Sequence, residues 1–512
     1  MFDIWAFIVD ALDSLMLLLW PKPAYRSLRP PKRKDDVKDG RMEEFAKDMK
    51  RQFEGHLSVA NLLAMSGRLQ EQFKLKLESS NICMLPSYIH TLPSGKEKGT
   101  YLALDVGGST LRVAAVQLFG RKNGHGGSCM EILKMNSYRI DNFVKSLKGH
   151  AFFDWMAERI AEVLEDPIVK PAHGATKVAM GLAWSFPIEQ TSARTAKLLI
   201  MGKGFSASEG VTGEDLGSLL MLACEKKSLN VQLDAIINDG QATLMTRAYQ
   251  DDALCFGLIL GTGTNMAINL PTKAFARSKF GVRPQTWFDE AVNVVVNTEL
   301  SMFGKDVWPM TRWDTQLNKN HERPDFQPLE HMIGGRYMGE LVRLVLVEAI
   351  QTTGLFGGHF PQGFLEPYTV ETSTTAAFED DETPELSKAA AVLEKNHPMK
   401  VMPMLAELRF VQEVVRAISH RAAAYLATGI HSLWSLRLFA EGLTPADAGH
   451  VTIGCNGSII ERYPRFRSVA QAYLDDLIKS SGGTPGTVVL EVAYESAIFG
   501  AAVAASCLEG QP

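Results

Sequence analysis

Two short glycine-rich turns carry the first chemistry legible in this chain. Asp105-Val-Gly-Gly-Ser-Thr110 joins the apolar, β-prone runs YLALD and LRVAAVQL, and Gly261-Thr-Gly-Thr-Asn265 interrupts ALCFGLILGTGTNMAINL in the same way. Phosphate oxygens need exposed backbone N–H groups and little steric bulk, and glycine turns supply both. The hydroxyls of Ser109, Thr110, Thr262 and Thr264 add side-chain donors. Asp105 has the chemistry to hold a hydrated Mg²⁺, which prefers a carboxylate and several waters. Arg112 is placed to meet a phosphate or a carboxylate. No G-x-x-x-x-G-K-[ST] segment and no G-x-G-x-x-G occurs, which excludes the P-loop and the dinucleotide fingerprint. One such turn is by itself only a hairpin; two with these polar residues point to nucleotide phosphates. Asp239 closes the run LDAIIND, where a carboxylate can face a cleft as a general base. It can equally cap a helix that starts near Ala242. From the residues alone both readings stand.

The elements that must position these groups follow from hydrophobic period. Residues 41–80 have apolar positions at helical spacing, and strand-like runs begin at 101. FFDWMAERIAEVLED predicts a helix, VAMGLAWSFP a strand ending at Pro187, and VTIGCNGSII a further strand with a glycine turn. MGELVRLVLVEAI and the region around 405–436 are helical by pattern, and AIFGAAVAASC predicts a final helix of small residues. The stretch 368–395, rich in Thr, Ala and acidic residues, predicts a solvated surface loop. The likeness of the two strand–glycine–strand units predicts a duplicated α/β core.

At 512 residues the chain exceeds the ~100–200 of a single-core domain, so at least two domains are expected. With 53 basic and 58 acidic residues the net charge is -5, which gives no electrostatic footprint for nucleic acid. Six cysteines lie scattered without a C-x-x-C pair, so neither a zinc site nor a dense disulfide framework is expected. The leading segment MFDIWAFIVDALDSLMLLLW is apolar, but Asp3, Asp10 and Asp13 leave no run long enough for a ~20-residue membrane span. Lys22, Arg26, Arg29, Lys32, Arg33 and Lys34 follow it in a Pro-rich linker. An amphipathic helix meeting an anionic membrane surface through residues 1–34 is one expectation, and a helix packed on its own protein the other.

From about residue 45 to about 506 the chain resembles the eukaryotic hexokinases. LALDVGGSTLRV and GLILGTGTNM are similar to the two phosphate motifs, and GLAWSFP followed by GKGF to the sugar-binding segment. IINDGQATLM resembles the segment with the catalytic aspartate. NTELSMFG and PLEHMIGGRYMGELVRLVL resemble the two that each supply a sugar-binding glutamate. VTIGCNGSIIERYP and ESAIFGAAV resemble the adenosine region. The resemblance implies an α/β, two-lobed actin-like ATPase (ribonuclease H-like) fold with the active site in the interlobe cleft. Residues 1–40, an apolar segment and basic linker that is a membrane tether on one of the two expectations, stand outside the resemblance, which implies a mainly small-lobe domain over 41–236 and a mainly large-lobe domain over 237–506. It further implies ATP and Mg²⁺ as cofactors, a small sugar as partner, and a cytoplasmic location. That location extends to the cytosolic face of a membrane such as the mitochondrial outer membrane. Asp239 is then the general base and Lys203 the cation at the reacting end. Ser185, Phe186, Pro187, Lys203, Asn238, Asp239, Asn265, Glu299 and Glu330 bind the sugar. Asp105, Gly107, Gly108, Ser109, Thr110, Arg112, Gly261, Thr262, Gly263, Gly457 and Ser458 bind the nucleotide, with Asp105 reaching the metal through water.

The chain also departs from that pattern. Gly202 and Gly240 stand where Thr is usual, Ser109-Thr110-Leu111 where Thr-Asn-Phe is, Asn456 where Asp is, and Glu495-Ser-Ala-Ile replaces Asp-Gly-Ser-Gly. Several of these changes resemble the fungal N-acetylglucosamine kinases of the family, which share GGSTLR, WSFP, ELS-x-FG, VTIG and a final S-x-I-x-GAA. The expected reaction is therefore phosphorylation of the 6-hydroxyl of N-acetylglucosamine, with Gly202 making room in the sugar pocket. A glucose or broad hexose kinase and a sugar sensor of low activity are the alternatives.

Overall fold

Each glycine turn closes an antiparallel hairpin. In the computed structural model, which describes residues 40–122, 128–169, 177–202, 204–253 and 256–508, Gly99–Val106 pairs with Thr110–Leu118 and Phe256–Leu260 with Thr264–Pro271. The tether expected over residues 1–34, nearly all of its linker, and Lys203 lie outside the described residues.

Each hairpin seeds one sheet. The first lies in a five-stranded sheet of order Met130–Arg139, Thr110–Leu118, Gly99–Val106, Val178–Trp184, Val231–Ile237. Its last two strands join in parallel and are apolar almost throughout, because helices cover both faces. The second hairpin lies in a six-stranded sheet of order Leu85–Pro86, Asn293–Asn297, Thr264–Pro271, Phe256–Leu260, Val451–Asn456, Val488–Val492.

Two helices, Asp239–Gln250 and Ser496–Leu508, pack on each other between the sheets. Their small residues make the approach possible. A Cβ at Gly181 would run into the Ala501 carbonyl, one at Gly500 into that of Ala242, and one at Gly257 into that of Gly240. The final helix rests on the five-stranded sheet, so the end of the chain returns to the lobe built by its first half.

Outside this shared layer each lobe has its own core. His150–Leu164 and Leu216–Lys226 cover the five-stranded sheet. Around the six-stranded sheet the 37-residue helix Leu405–Glu441 is apolar on nearly all sides and buried accordingly. The helices Gly40–Glu54 and Val59–Glu78 pack against it. Arg421, fully buried there, pairs with Asp314 through bonds of 2.5 and 2.8 Å and lies 4.7 Å from the Phe53 ring. Among the described residues no helix is long and apolar enough to cross a membrane.

The stretch expected as a solvated loop folds instead. Thr372–Asp380 and Ser387–Asn396 are helices, with Thr374, Thr375, Phe378, Ala389 and Leu393 buried. Asp381 between them is also buried, accepting hydrogen bonds from the N–H groups of Thr383 and Ala389. Its acidic and hydroxyl side chains work as internal turn ties rather than as a solvated face.

Candidate functional site

The first turn is closed by Gly107 N–H donating to the Thr110 carbonyl (3.0 Å), and Ile140 N–H anchors the Ser109 carbonyl (2.9 Å). Hairpin register puts Asp105 directly opposite Arg112. Arg112 takes carboxylates on both sides: Nε and Nη2 donate to Asp105 Oδ2 (2.9 and 2.6 Å), and Nη1 to Glu495 Oε2 (2.5 Å). Glu495 reaches in from the start of the final helix, on left-handed backbone (φ 49°). Burial pushes the Asp105 carboxyl above its ordinary range, with Arg112 opposing and the Glu495 charge adding to the rise. Among the described residues no group of three or more His, Cys, Asp or Glu side chains could cage a metal. Asp105, beside the first turn, has instead the chemistry that would hold a hydrated Mg²⁺ through water.

The second turn is closed by Gly261 N–H to the Gly263 carbonyl (2.9 Å). Thr264 does not offer its hydroxyl to a ligand as expected; it is buried and donates to the Ile259 carbonyl (3.1 Å). Gly457 sits on left-handed backbone (φ 122°) against the Leu260 carbonyl, where a Cβ would not fit. That contact brings Ser458 beside Gly261. From the other side Gly335 N–H donates to the Gly261 carbonyl (2.8 Å), setting the helix Gly335–Thr353 on the turn. These groups line a cavity of about 270 Å³ together with Arg336 and Tyr368, whose guanidinium and ring lie 4.4 Å apart. Sequence reasoning assigned Gly261, Thr262 and Ser458 to the nucleotide and missed Gly335, Arg336 and Tyr368. The paired glycines Gly334-Gly335 at a helix start were the available signal. A larger cavity of about 610 Å³ opens between the helix Gly40–Glu54 and Thr352–Thr353. It sits a helix length, ~27 Å at 1.5 Å per residue, from the turn and has charged walls.

The carboxylate wall begins where Val231–Ile237 gives way to a helix. The N-cap is Asn238, in a reciprocal capping box with Gln241, so Asp239 is not the cap. Asn238 Oδ1 is committed to Gln241 N–H (2.7 Å), which leaves its amide N–H₂ for a ligand. Asp239 begins the helix with its carboxylate against the following N–H (2.9 Å). Asn265, Asn297 and Glu299 form one chain: Asn265 Nδ2 donates to Asn297 Oδ1 (2.9 Å) and Asn297 Nδ2 to Glu299 Oε1 (2.8 Å). Glu299 holds left-handed backbone (φ 51°). Burial raises its carboxyl above the ordinary range, Asn297 opposes the rise, and the Asp239 charge adds to it. The two carboxylates therefore feel one another. Glu330 Oε2 accepts from Thr264 N–H (3.0 Å), and Gly263 leaves room for that carboxylate where a Cβ would meet it. Asn297 was not singled out from sequence.

Ser185 N–H donates to the Val106 carbonyl (3.2 Å), which seats Ser185, Phe186 and the exposed Pro187 at the end of the first turn's own strand. Phe186 packs edge-on against Phe205 (4.9 Å between ring centres), so the WSFP segment is held against Phe205 by two buried rings. Gly202 has φ 68° with nothing within 4 Å of an added Cβ. That left-handed backbone favours glycine there whatever the space around it. Gly240 would accept a Cβ in ordinary contact, 3.5 Å from Ala267 N.

Residues 45–249 and 255–507 match the two family profiles described as hexokinase. Hexokinase-7 of Oryza sativa subsp. japonica is 30% identical over 430 residues, covering 83% of this chain and 88% of that protein. Hexokinase-1 of Schizosaccharomyces pombe is 30% identical over 424 residues, 81% of each chain. The structure of the Schistosoma mansoni hexokinase complexed with glucose superposes with a TM-score of 0.75 at 29% identity, covering 92% of this chain and all of that one.

Proposed function

The chain belongs to the hexokinase family and has its two-lobed α/β kinase fold, and on that footing we propose that it moves the γ-phosphoryl group of ATP to the 6-hydroxyl of a hexose. One observation carries the reading. The Asp239 carboxylate, the Asn238 amide, the Asn265–Asn297–Glu299 chain and Glu330 converge beside the second glycine turn, whose far side opens into the 270 Å³ cavity. An acceptor alcohol and a nucleotide are thereby served from two sides of one hairpin.

A sugar hydroxyl is a weak nucleophile, and phosphoryl transfer asks mostly for position and charge. Asn238 and Asn265 donate to sugar hydroxyls while Glu299 and Glu330 accept from them. Asp239 takes the proton of the 6-hydroxyl as its oxygen approaches phosphorus, and the bond from phosphorus to the bridging oxygen of ADP breaks. Bound through Asp105 and water, Mg²⁺ would neutralise charge on the phosphates. The turn N–H groups and Arg112 hold the phosphate oxygens in line. Closure of the two lobes expels water that would otherwise compete as acceptor.

Glucose is the leading substrate: the related Schistosoma hexokinase is complexed with glucose, and the similar rice and fission-yeast proteins are hexokinases. N-acetylglucosamine is the second reading, favoured by Ser109-Thr110-Leu111 and Glu495-Ser-Ala-Ile, which follow the fungal N-acetylglucosamine kinases. ATP-dependent phosphorylation with glucose, mannose, fructose and N-acetylglucosamine side by side tests both. Highest kcat/KM with glucose supports the first, and highest with N-acetylglucosamine replaces it by the second. Binding of a hexose without turnover would reduce the protein to a sensor on a kinase scaffold.

A further inference from the structure

In a wall made of amides and carboxylates, something has to decide which atoms donate. Carboxamide groups can turn over, exchanging donor for acceptor, unless neighbours forbid it. Two backbone N–H groups settle the question here. Met266 N–H donates to Asn265 Oδ1 (2.7 Å), so the Asn265 N–H₂ must point the other way, where it finds Asn297 Oδ1 (2.9 Å). Glu299 N–H donates to the same Asn297 oxygen (3.3 Å), which turns the Asn297 N–H₂ toward Glu299 Oε1 (2.8 Å). Asn297 lies at the end of its strand, paired with Ala267 of the neighbouring strand, so its backbone is fixed as well.

We propose that Asn297 is a positioning residue that sets the polarity of the sugar-facing wall. It leaves Asn265 one N–H to give and Glu299 Oε2 free to accept. The inference rests on reading the wall as a hexose site. Its chemical consequence is specific: the substrate must present a hydroxyl that accepts from Asn265 together with one that donates to Glu299. Sugars lacking either group, or carrying it as a methyl ether, lose one member of the pair.

Asn297→Asp tests this with an isosteric side chain. One carboxylate oxygen still accepts from Asn265 and Glu299 N–H, but the other now faces Glu299 Oε1 where a donor stood. Two carboxylates at hydrogen-bond distance hold a shared proton to higher pH than either would alone. At about pH 8 they repel and hexose affinity should fall roughly tenfold or more. At about pH 5.5 the shared proton restores the missing donor and affinity should return to within about threefold of the unchanged protein. Among the described residues, the other ionisable groups coupled to Glu299 are Asp239 and Cys83; neither is a cation that would quench the effect. Isothermal titration with glucose and with N-acetylglucosamine at both pH values reads this without requiring turnover. Asn297→Ser, which removes the donor without adding charge, should weaken binding at both pH values alike. Equal affinity of N297D and the unchanged protein across the range, in samples of equal thermal stability, would overturn the proposal. Failure of the unchanged protein to bind any hexose would instead overturn the reading of the site.

Discussion

The two glycine turns begin alike, as tight hairpins at the edge of a lobe, and are backed very differently. The first is backed by charge: Asp105, Arg112 and Glu495 in one array, with a member drawn from the far end of the chain. The second is backed by close backbone contact, with Gly335 on one side, Gly457 on another and the Glu330 carboxylate filling the space under Gly263. A duplicated hairpin has thus been turned to two tasks. In the proposed reaction the first would prepare an electrostatic environment for phosphates and metal. The second would couple the proposed sugar wall to the cavity, because Gly261 and Thr262 line the cavity while Gly263 and Thr264 meet Glu330.

The largest effect should come from the group that both turns serve. Asp239→Asn keeps the helix start and removes the base, so kcat should fall by about 10²–10⁴ while hexose binding by calorimetry stays near its original strength. If kcat and affinity fell together, Asp239 would be a binding group only. Next comes a contrast between the turns. Gly263→Ala pushes a methyl into the Glu330 carboxylate; overpacking of this kind costs ~1–3 kcal/mol, roughly 5–150-fold in affinity, and should appear in the KM of hexose and ATP alike. Gly107→Ala meets only ordinary protein contact, 3.5 Å from the Thr110 carbonyl, so its cost should fall on the KM for ATP, where the methyl would meet a phosphate, and leave the hexose KM within about twofold. Equal damage from both would erase the distinction.

These contrasts were only partly legible in the sequence. The turns themselves were, because glycine and hydroxyl spacing is local and the flanking runs alternate as strands. The Asp105–Arg112 pairing follows from hairpin register and was within reach. Glu495 stood out only as a departure and Asn297 only as the first residue of NTELSMFG, since the partners that give them their roles, Arg112 and Asn265, lie 383 and 32 residues away. The 368–395 stretch misled for a different reason. Its Thr and Ala residues bury small surfaces against neighbouring helices, and Asp381 satisfies its charge on local N–H groups, so composition resembles a loop while packing makes helices.

Smaller effects sharpen the charge side of the comparison. Glu495→Gln removes a negative charge beside the phosphates while Asp105 keeps Arg112 in place through two bonds. The KM for ATP should fall about two- to fivefold with the hexose KM unchanged, a modest change because Glu495 is partly exposed. A rise instead would make Glu495 a positive contributor to Arg112 placement. The smallest effect is in pH dependence. In the proposed site Glu299 accepts from the sugar most strongly when ionised, and burial raises its carboxyl above the ordinary range. Affinity is then full above that raised value and declines as pH falls through it, earlier than an exposed glutamate would allow. Calorimetric titration of hexose from neutral to mildly acidic pH reads this, and Glu299→Gln should flatten the profile.

Phosphorus NMR of the purified protein with ATP, Mg²⁺ and a hexose addresses the kinase assignment most directly. The expected spectrum shows ADP and a sugar 6-phosphate monoester growing together, absent without hexose. ADP with inorganic phosphate alone, or no product from a sample that binds hexose, would contradict it.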